Sequence, residues 1–456
     1  MKSSLNLRAG NGPARTFVIL GGVAAALVAV ATPLPGFGSS TAAAQSRRGA
    51  QGLESDGVQE FYRARGGRPL WLASPQGSVA AQQLFEMLNS ANVDGFDRNR
   101  YQVGRLSKAL RDARRGDPRA VNRAETMLSQ AFVTYARDMR RQPAIAITYV
   151  DPELKPMLPS GLSLLNMAAS APSLTDWVRN VGWMHPTYGQ LRRTLAGRMY
   201  MNEGQRRLLS INLQRARALP VTRSRYVVVN AAAQRLYMYE NGEVVDYMRV
   251  VVGKPQQPTP MMTALIRFAS LNPYWNVPPD LAVERIVPNV VKGGMPYLKA
   301  KGYQVLSDWG ENARLVDPKS INWKAVAGGQ GEVRLRQLPG PANSMGRMKF
   351  MFPNREGIYL HDTPDKEKLT EASRLFSGGC VRLEDAPRLG RWMFGRALKP
   401  AGARPEQKVM LNQPVPVYLT YLTAVPSGSQ IAYFEDIYGR DSQRMASAGG
   451  RVRASR

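Results

Sequence analysis

Cysteine and histidine are the scarcest chemistry-bearing residues in this sequence. The 456 residues include one cysteine, Cys380, and two histidines, His185 and His361. A single cysteine excludes an internal disulfide. Two distant histidines and one cysteine also fall short of the four ligands of a Cys/His zinc site. We therefore expect no metal site.

Acidic residues are few relative to basic ones. Lys and Arg number 62 against 34 Asp and Glu, which gives a formal net charge of +28. A charge of that sign favours anionic partners, such as nucleic acid, acidic lipid or acidic cell-wall polymer. The basic residues are scattered, and no aromatic-interleaved stripe or recognisable nucleic-acid module accompanies them. We therefore do not expect a nucleic-acid partner.

The segment that follows Tyr438 is rich in arginine. Its arginines stand among Gly, Ala and Ser residues, which provide few apolar side chains for a core. The composition predicts a solvated, disordered basic tail over residues 439–456.

The first residues carry the pattern of a secretory signal. Basic residues precede an apolar run over 17–31, and small residues at 42–44 offer a cleavage site. The run has about 15 residues, whereas a membrane-spanning helix needs about 20. We predict a signal peptide over 1–44 and a linker over 45–60, with an uncleaved anchor as the alternative. In both cases the rest of the chain is expected outside the cytoplasm.

Residues 61–222 show helical periodicity. Asp117 followed by Pro118 is a helix-start signal, and apolar residues then recur at helical spacing over 121–139. We predict a helical scaffold domain over this part of the chain. His185 lies within it, and we expect it to mark the start of a helix rather than to act in catalysis.

The pattern changes to β-strands over residues 223–438. Strand-like runs rich in Val and Tyr flank Asn241-Gly242, which predicts a hairpin turn. Residues 273–336 interrupt the strands with helix-like pieces. A segment of this length is more typical of a lid or subdomain than of a structureless loop.

Cys380 and His361 are the residues best suited to carry chemistry. A thiol is a poor nucleophile at its free pKa of about 8.5, and an adjacent imidazole can take its proton and return it to a leaving amine. The glycines before Cys380 would leave the N–H groups of Gly379 and Cys380 open to stabilise an oxyanion. Arg382 would share a strand face with Cys380 and favour its thiolate or bind a substrate carboxylate. The alternative is a structural histidine with an inert, buried cysteine.

The segment around these residues resembles the active-site signature of the L,D-transpeptidase (YkuD) family. In that signature a histidine is followed at a distance by Ser/Thr-His-Gly-Cys, with Arg or Asn two residues further on. The matching residues are His361, Ser377, Gly379, Cys380 and Arg382. Gly378 departs from the signature, because the family usually has a second histidine there. The departure leaves the Cys–His pair intact but removes an imidazole that would help to shape the site.

Several other segments resemble the larger, gram-negative YcbB-type branch of this family. They are 61–62, 69–71, 272–278, 336–340, 343–346, 349–354 and 436–439. The resemblance implies a multidomain α+β chain, in which an N-terminal α-helical scaffold precedes a mostly β, β-sandwich-like catalytic domain. It also implies a capping subdomain inserted into the catalytic domain, and residues 273–336 fit that cap.

The resemblance implies acyl transfer on peptidoglycan in the periplasm, a reaction that needs no metal and no cofactor. The Cys380 thiolate, with His361 as general base, would attack the peptide bond after the L-centre of diaminopimelate in a donor tetrapeptide stem and release D-alanine. The side-chain amine of an acceptor stem would then take the acyl group. The residues expected to line the substrate site are Tyr359, Ser377, Gly378 and Arg382.

Three alternative functions remain open at this point. An L,D-carboxypeptidase or a protein-to-peptidoglycan ligase would use the same nucleophile with a different acceptor. A catalytically inactive wall-binding scaffold is suggested by Gly378 and the basic charge, although the retained Cys–His pair argues against it. The expected partners are peptidoglycan stem peptides and anionic envelope polymers.

Overall fold

The computed structural model describes residues 56–222, 224–310 and 312–453, with side chains up to residue 446. The predicted signal peptide over 1–44 and most of the predicted linker over 45–60 lie outside the described residues. Within the described ranges, no helix is long and apolar enough to cross a membrane.

The first half of the described chain is helical. Its α-helices are α1 (Val58–Ala64), α2 (Pro75–Asn89), α3 (Val103–Ala113), α4 (Pro118–Arg140), α5 (Gly161–Ala169), α6 (Leu174–Arg179), α7 (Pro186–Ala196) and α8 (Glu203–Ala216), with one short strand, β1 (Thr148–Tyr149). The longest helix, α4, begins where the sequence predicts, because the Asp117 carboxylate accepts hydrogen bonds from the N–H groups of Arg119 and Ala120. Its apolar face is buried from Ala124 to Met139, and Phe132 packs edge-on against Trp71 and Trp183 in the scaffold core.

The second half is built mostly of strands. They are β2 (Tyr226–Asn230), β3 (Arg235–Glu240), β4 (Glu243–Gly253), β5 (Met262–Leu271), β6 (Trp275–Asn276), β7 (Tyr303–Leu306), β8 (Leu315–Val316), β9 (Arg334–Gln337), β10 (Met348–Met351), β11 (Leu360–His361), β12 (Leu375–Ser377), β13 (Val381–Leu383), β14 (Gln407–Thr420), β15 (Ala424–Ser427) and β16 (Gln430–Tyr433). The predicted order of a helical scaffold followed by a mostly β domain is therefore confirmed.

The main sheet closes on itself. Its strands pair in the order β5-β10-β11-β13-β4-β3-β2-β14, and β14 also pairs with β5. The expected β-sandwich-like architecture is thus realised as one closed sheet around an apolar core. Between β3 and β4 lies the predicted hairpin, in which Asn241 (φ 56°) and Gly242 (φ 85°) both adopt the positive φ that such turns require.

An insertion separates β5 from β10. Its strands form a separate sheet in the order β6-β9-β7-β8. Its helical part begins with α9 (Pro279–Leu281), continues through a π-helical turn (Ala282–Ile286) into α10 (Val287–Lys301), and resumes at α11 (Trp323–Ala327). These elements enclose a small apolar core of their own. The insertion is therefore a folded unit, whereas a lid function for residues 273–336 stays a prediction.

Helix α12 (Ala386–Phe394) follows β13, and a last helix, α13 (Arg440–Arg453), follows β16. The prediction of a disordered tail over 439–456 is therefore wrong for the residues that α13 spans. The Asp436 carboxylate accepts hydrogen bonds from the N–H of Asp441, within the first turn of α13. Asp441 is itself buried and forms an ion pair of 2.5 Å with Arg215 of the scaffold. The sequence pattern missed this helix because its anchor is a long-range ion pair.

His185 is the N-cap residue of α7, which confirms its predicted place at a helix start. Its Nδ1 accepts a hydrogen bond from the N–H of Thr187 at 3.1 Å, so the neutral ring carries its proton on Nε2. Nε2 lies 3.1 Å from the hydroxyl of Tyr226. Burial lowers the pKa of His185 to about 3.

We expect the free energy of unfolding to decrease as the pH is lowered from about 6.5 towards 3. A histidine whose folded-state pKa lies below its unfolded value contributes fully to stability above about 6.5, and proton binding favours the unfolded chain below it. The expected loss is about 1.4 kcal/mol per pH unit for such a group. Urea unfolding at a series of pH values measures it.

His185→Asn provides the control, because asparagine can cap a helix but does not titrate in this range. The variant should lose stability less steeply than the wild type between pH 6 and 4 and should keep its activity. Identical pH slopes for the two proteins would show that His185 is not held neutral by the fold.

Candidate active site

The two strands that carry the predicted catalytic residues are direct neighbours. β11 and β13 pair in parallel with His361 opposite Arg382, and the N–H of Val381 donates to the carbonyl of Tyr359 at 3.1 Å. Side chains alternate along a strand and match across a paired register, so Tyr359 and His361 share one face with Cys380 and Arg382. The fold therefore brings these four predicted site residues together.

His361 is buried, and its orientation is set by one hydrogen bond. Its Nδ1 lies 2.5 Å from the backbone oxygen of Asp362. A carbonyl oxygen can only accept, so Nδ1 carries the proton in the neutral ring and Nε2 holds a free lone pair. Burial, assisted by the positive charge of Arg382, lowers the pKa of His361 to about 3. At neutral pH this imidazole is therefore an uncharged acceptor of protons.

Cys380 is half-buried and directly precedes β13. Its Sγ lies 3.6 Å from the carbonyl oxygen of Gly357, which can accept from the thiol. Burial raises the pKa of the thiol to about 11, although the N–H of Tyr359 and the charge of Arg382 both oppose that rise. Burial outweighs the positive neighbour, so the resting cysteine is a thiol rather than a thiolate.

The loop before Cys380 is tied down by a serine hydroxyl. Ser377 Oγ accepts a hydrogen bond from the N–H of Gly379 at 3.1 Å and donates to the carbonyl of Cys380 at 2.6 Å. The N–H of Gly379 is therefore engaged within the loop, which corrects the prediction that it is open for an oxyanion. Ser377 is only 2% exposed. The sequence analysis placed Ser377 in the substrate site. In the structure its hydroxyl instead bonds within the loop and shapes it.

Gly378 is exposed, and the space where its side chain would project is narrow. A Cβ added there would lie 3.2 Å from Oε1 of Gln257 and 3.4 Å from Cδ1 of Leu281. Leu281 belongs to the insertion, whereas Gln257 lies between β4 and β5 and donates to the Asp280 carboxylate at 2.6 Å. The position where the family usually has a second histidine is thus bordered by the insertion.

Arg382 lies largely buried next to the Cys–His pair. One of its terminal nitrogens is 3.3 Å from the Asp365 carboxylate, and its side chain is 13% exposed. Its Nε is buried and has no hydrogen-bond partner among the described residues. Burial lowers the pKa of the guanidinium, and the positive charge of Arg285 on the insertion lowers it further. The negative charge of Asp365 raises the pKa and so opposes both effects. The positive charges of Arg285 and Arg382 therefore lie close enough to repel each other.

Tyr359 connects the catalytic core with the insertion. Its ring packs against apolar residues of both cores and meets the His361 ring edge-on, with 5.9 Å between the ring centroids. Burial raises the pKa of its hydroxyl, and the nearby Cys380 adds to this effect. Tyr359 is thus placed beside both members of the pair.

The sequence analysis missed the contribution of the insertion to this site. Glu284 forms an ion pair of 2.8 Å with Lys254, which lies at the end of β4, and Arg285 adds positive charge beside Arg382. No local pattern signals these contacts, because the insertion reaches the site through tertiary folding. The sequence analysis also missed Thr259. Its buried hydroxyl contacts the carbonyl of Gly379 in residues 377–380, which we call the nucleophile loop.

No cluster of three or more potential metal ligands occurs among the residues that the structure describes. The described site holds a thiol, a neutral imidazole, a backbone N–H group and guanidinium charge.

Two solved structures share limited similarity with this chain. One is an L,D-transpeptidase from Mycobacterium smegmatis, with 16% sequence identity and a TM-score of 0.22; the match covers 43% of this chain and 58% of that chain. The other is the LD transpeptidase LdtMt1 in complex with imipenem, with 14% identity and a TM-score of 0.21, over 43% of this chain and 58% of that chain.

Sequence comparisons give the assignment. A Haemophilus influenzae protein, named as a candidate L,D-transpeptidase, is 31% identical over 242 residues, which are 52% of this chain and 48% of that protein. The chain thus spans about half the length of this relative. Residues 56–195 match the family model of a scaffold domain, and residues 224–402 match that of the L,D-transpeptidase catalytic domain. Through this second match, residues 224–402 are identified as an L,D-transpeptidase catalytic domain of the YkuD family.

Proposed function

We propose that this protein is an exported peptidoglycan L,D-transpeptidase that joins the diaminopimelate residues of two stem peptides. The observation that carries the proposal is the pairing of a neutral imidazole, His361, with the thiol of Cys380 on one sheet face. An imidazole with an acceptor Nε2 on the same sheet face as a protonated thiol supplies the two groups that general-base activation of a nucleophile needs.

The first half of the reaction forms an acyl-enzyme. Sγ of Cys380 adds to the carbonyl carbon after the L-centre of diaminopimelate while Nε2 of His361 takes the thiol proton. The C–N bond to D-alanine then breaks, and the imidazolium returns the proton to the leaving amine. A thioester remains on Cys380.

The second half transfers the acyl group. The side-chain amine of the acceptor stem attacks the thioester, an amide bond forms, and the thiol of Cys380 is restored with a proton supplied through His361. The low pKa of His361 and the high pKa of Cys380 support proton transfer during the attack rather than a resting ion pair.

Arg382 and Arg285 give the cleft an affinity for anions. Their charges oppose one another in the free protein, so a bound carboxylate would relieve the repulsion and satisfy the unpartnered Nε of Arg382. Both the D-alanine terminus and diaminopimelate carry carboxylates. We assign Arg382, and with it Arg285, to carboxylate recognition in the donor stem.

We infer that the insertion covers the site around Cys380. Glu284 in its π-helical turn pairs with Lys254, and Asp280 in α9 accepts a hydrogen bond from Gln257, which lies beside Gly378. A cover of this kind would order the donor stem and keep water from the thioester. The net charge of +28 further favours residence at an anionic envelope polymer outside the cytoplasm.

Cys380→Ala should abolish new crosslinks in purified sacculi incubated with the protein, because the thioester can no longer form. Muropeptide analysis by mass spectrometry measures the joined stems. An unchanged yield in the variant would eliminate the proposed mechanism. Shortened stems without joined ones in the wild-type reaction would identify a carboxypeptidase instead.

His361→Ala should lower the rate of crosslinking by about 10²- to 10⁴-fold, the effect typical of a lost general base. His185→Ala is the matched control, since it removes the second histidine from a position in the scaffold. The control should lose stability but keep its turnover. The opposite pattern, with the His185 variant inactive but stable, would show that the base is the other imidazole.

The resting thiol should react with iodoacetamide faster as the pH rises. With a pKa of about 11, the thiolate fraction of Cys380 grows about tenfold per pH unit from pH 7 upwards. Intact-mass measurements of alkylation at each pH follow it. Arg382→Gln should slow alkylation at every pH, because a charge that favours the thiolate is lost. A plateau already reached at pH 8 would contradict the neutral resting pair.

A further inference from the structure

A buried threonine contacts the nucleophile loop. Thr259, between β4 and β5, is 0% exposed. Its hydroxyl oxygen accepts a hydrogen bond from the N–H of Gly253 at 2.9 Å and lies 2.8 Å from the carbonyl oxygen of Gly379. A carbonyl can only accept, so the single hydroxyl proton of Thr259 is committed to Gly379. No solvent reaches the hydroxyl to compete for it.

Fixing the Gly379 carbonyl also fixes the next N–H group. The carbonyl of Gly379 and the N–H of Cys380 belong to one planar trans peptide and therefore point in opposite directions. The N–H of Cys380 donates to no residue in the described part of the chain. The N–H of Gly379 donates to Ser377, so the N–H of Cys380 is the neighbouring backbone donor that can bond an oxyanion near Sγ.

We propose that Thr259 is a positioning residue that aims the Cys380 N–H at the oxyanion formed when Sγ adds to a substrate carbonyl. The inference rests on the proposed acyl transfer, for which it supplies the orientation of one oxyanion donor. Oxyanion donors act through fixed geometry, so a donor that turns away in the ground state must be reoriented at each turnover.

Both peptide units that flank Cys380 are held in this way. Thr259 holds the preceding unit, and Ser377 holds the following one by donating to the Cys380 carbonyl at 2.6 Å. Each hydroxyl accepts one N–H and donates to one carbonyl, so neither can rotate freely. Gly379, which precedes these two peptide units, has a φ of 110°, which only glycine adopts readily.

The Thr259 segment is itself braced by the residues around α13. The hydroxyl of Tyr438 donates to the carbonyl of Gly253 at 2.8 Å, and Arg440 donates to the carbonyl of Thr259 at 3.0 Å. Gly253 has no room for a side chain, since a Cβ there would lie 2.1 Å from the oxygen of Gln257. Tyr438 and Arg440 thus fix both the backbone of Gly253, which donates to the Thr259 hydroxyl, and the backbone of Thr259 itself.

Thr259→Val tests the proposal, because it removes the hydroxyl and keeps the shape. Thr259→Ser restores the hydroxyl. Thr263→Val is the matched control: Thr263 is also 0% exposed, on β5 of the same sheet, and its hydroxyl has no hydrogen-bond partner among the described residues. Thermal unfolding confirms that each variant is folded.

Two reactions of the same thiol separate positioning from general damage. Acylation by imipenem adds Sγ to a carbonyl and passes through an oxyanion, whereas alkylation by iodoacetamide forms an S–C bond as iodide leaves and produces no oxyanion. Both are followed by intact mass. Thr259→Val should acylate about 10- to 100-fold more slowly and alkylate within about threefold of the wild type. The Thr259→Ser and Thr263→Val proteins should acylate within about threefold of the wild-type rate.

Equal losses in the two reactions, or wild-type acylation in folded Thr259→Val, would overturn the proposal. If Thr259→Val does not fold, Tyr438→Phe replaces it as the test, because it removes the hydrogen bond to Gly253. Tyr438→Phe should slow acylation but not alkylation. Equal effects on the two reactions in this variant would also overturn the proposal. A wild type that is acylated but joins no stems in sacculi would remove the crosslinking function and leave the role of Thr259 standing.

Discussion

The parallel pairing of β11 with β13 is the constraint on which the active site depends. The pairing spans only two residue pairs, yet it sets His361 beside the nucleophile strand. A slip by one residue would turn His361 to the opposite face and separate the base from the thiol. Two short strands alone would not hold such a register. Their outer neighbours, β10 and β4, belong to the same closed sheet and hold them from both sides.

Burial then decides the chemistry that this geometry can support. Removing water from His361 and Cys380 disfavours the charged form of each, so the pair rests as a neutral base and a neutral acid. The charge of Arg382 opposes this effect at Cys380, because it favours the thiolate. The same desolvation opposes the protonation of His361 in acid, which links the ionisation of the site to the stability of the fold.

Local signals in the sequence predicted local structure well. The Asp117 cap, the Asn241-Gly242 turn and the scaffold-then-strands order follow from short-range rules, and the family signature pointed to Cys380 and His361. Predictions failed where a partner distant in sequence decides the outcome. The helix at Asp441 depends on an ion pair with the scaffold, and the engaged N–H of Gly379 depends on where a serine hydroxyl points. Neither the ion pair nor the direction of the serine hydroxyl can be predicted from composition and spacing.

The strand β14 also bears on solubility. It pairs with β2 on one side and with β5 on the other, whereas the matched catalytic family segment ends at residue 402, before β14 begins. A polypeptide cut there would expose two unpaired strand edges, each a template for pairing with another chain. The pairing of β14 with β5 closes the sheet, and its residue pairs, such as Gln407 with Leu271, are far apart in sequence. Contacts between distant residues form slowly during folding, so the strand edges stay unpaired for longer. Protection from aggregation therefore rests on a strand that contributes nothing to the chemistry.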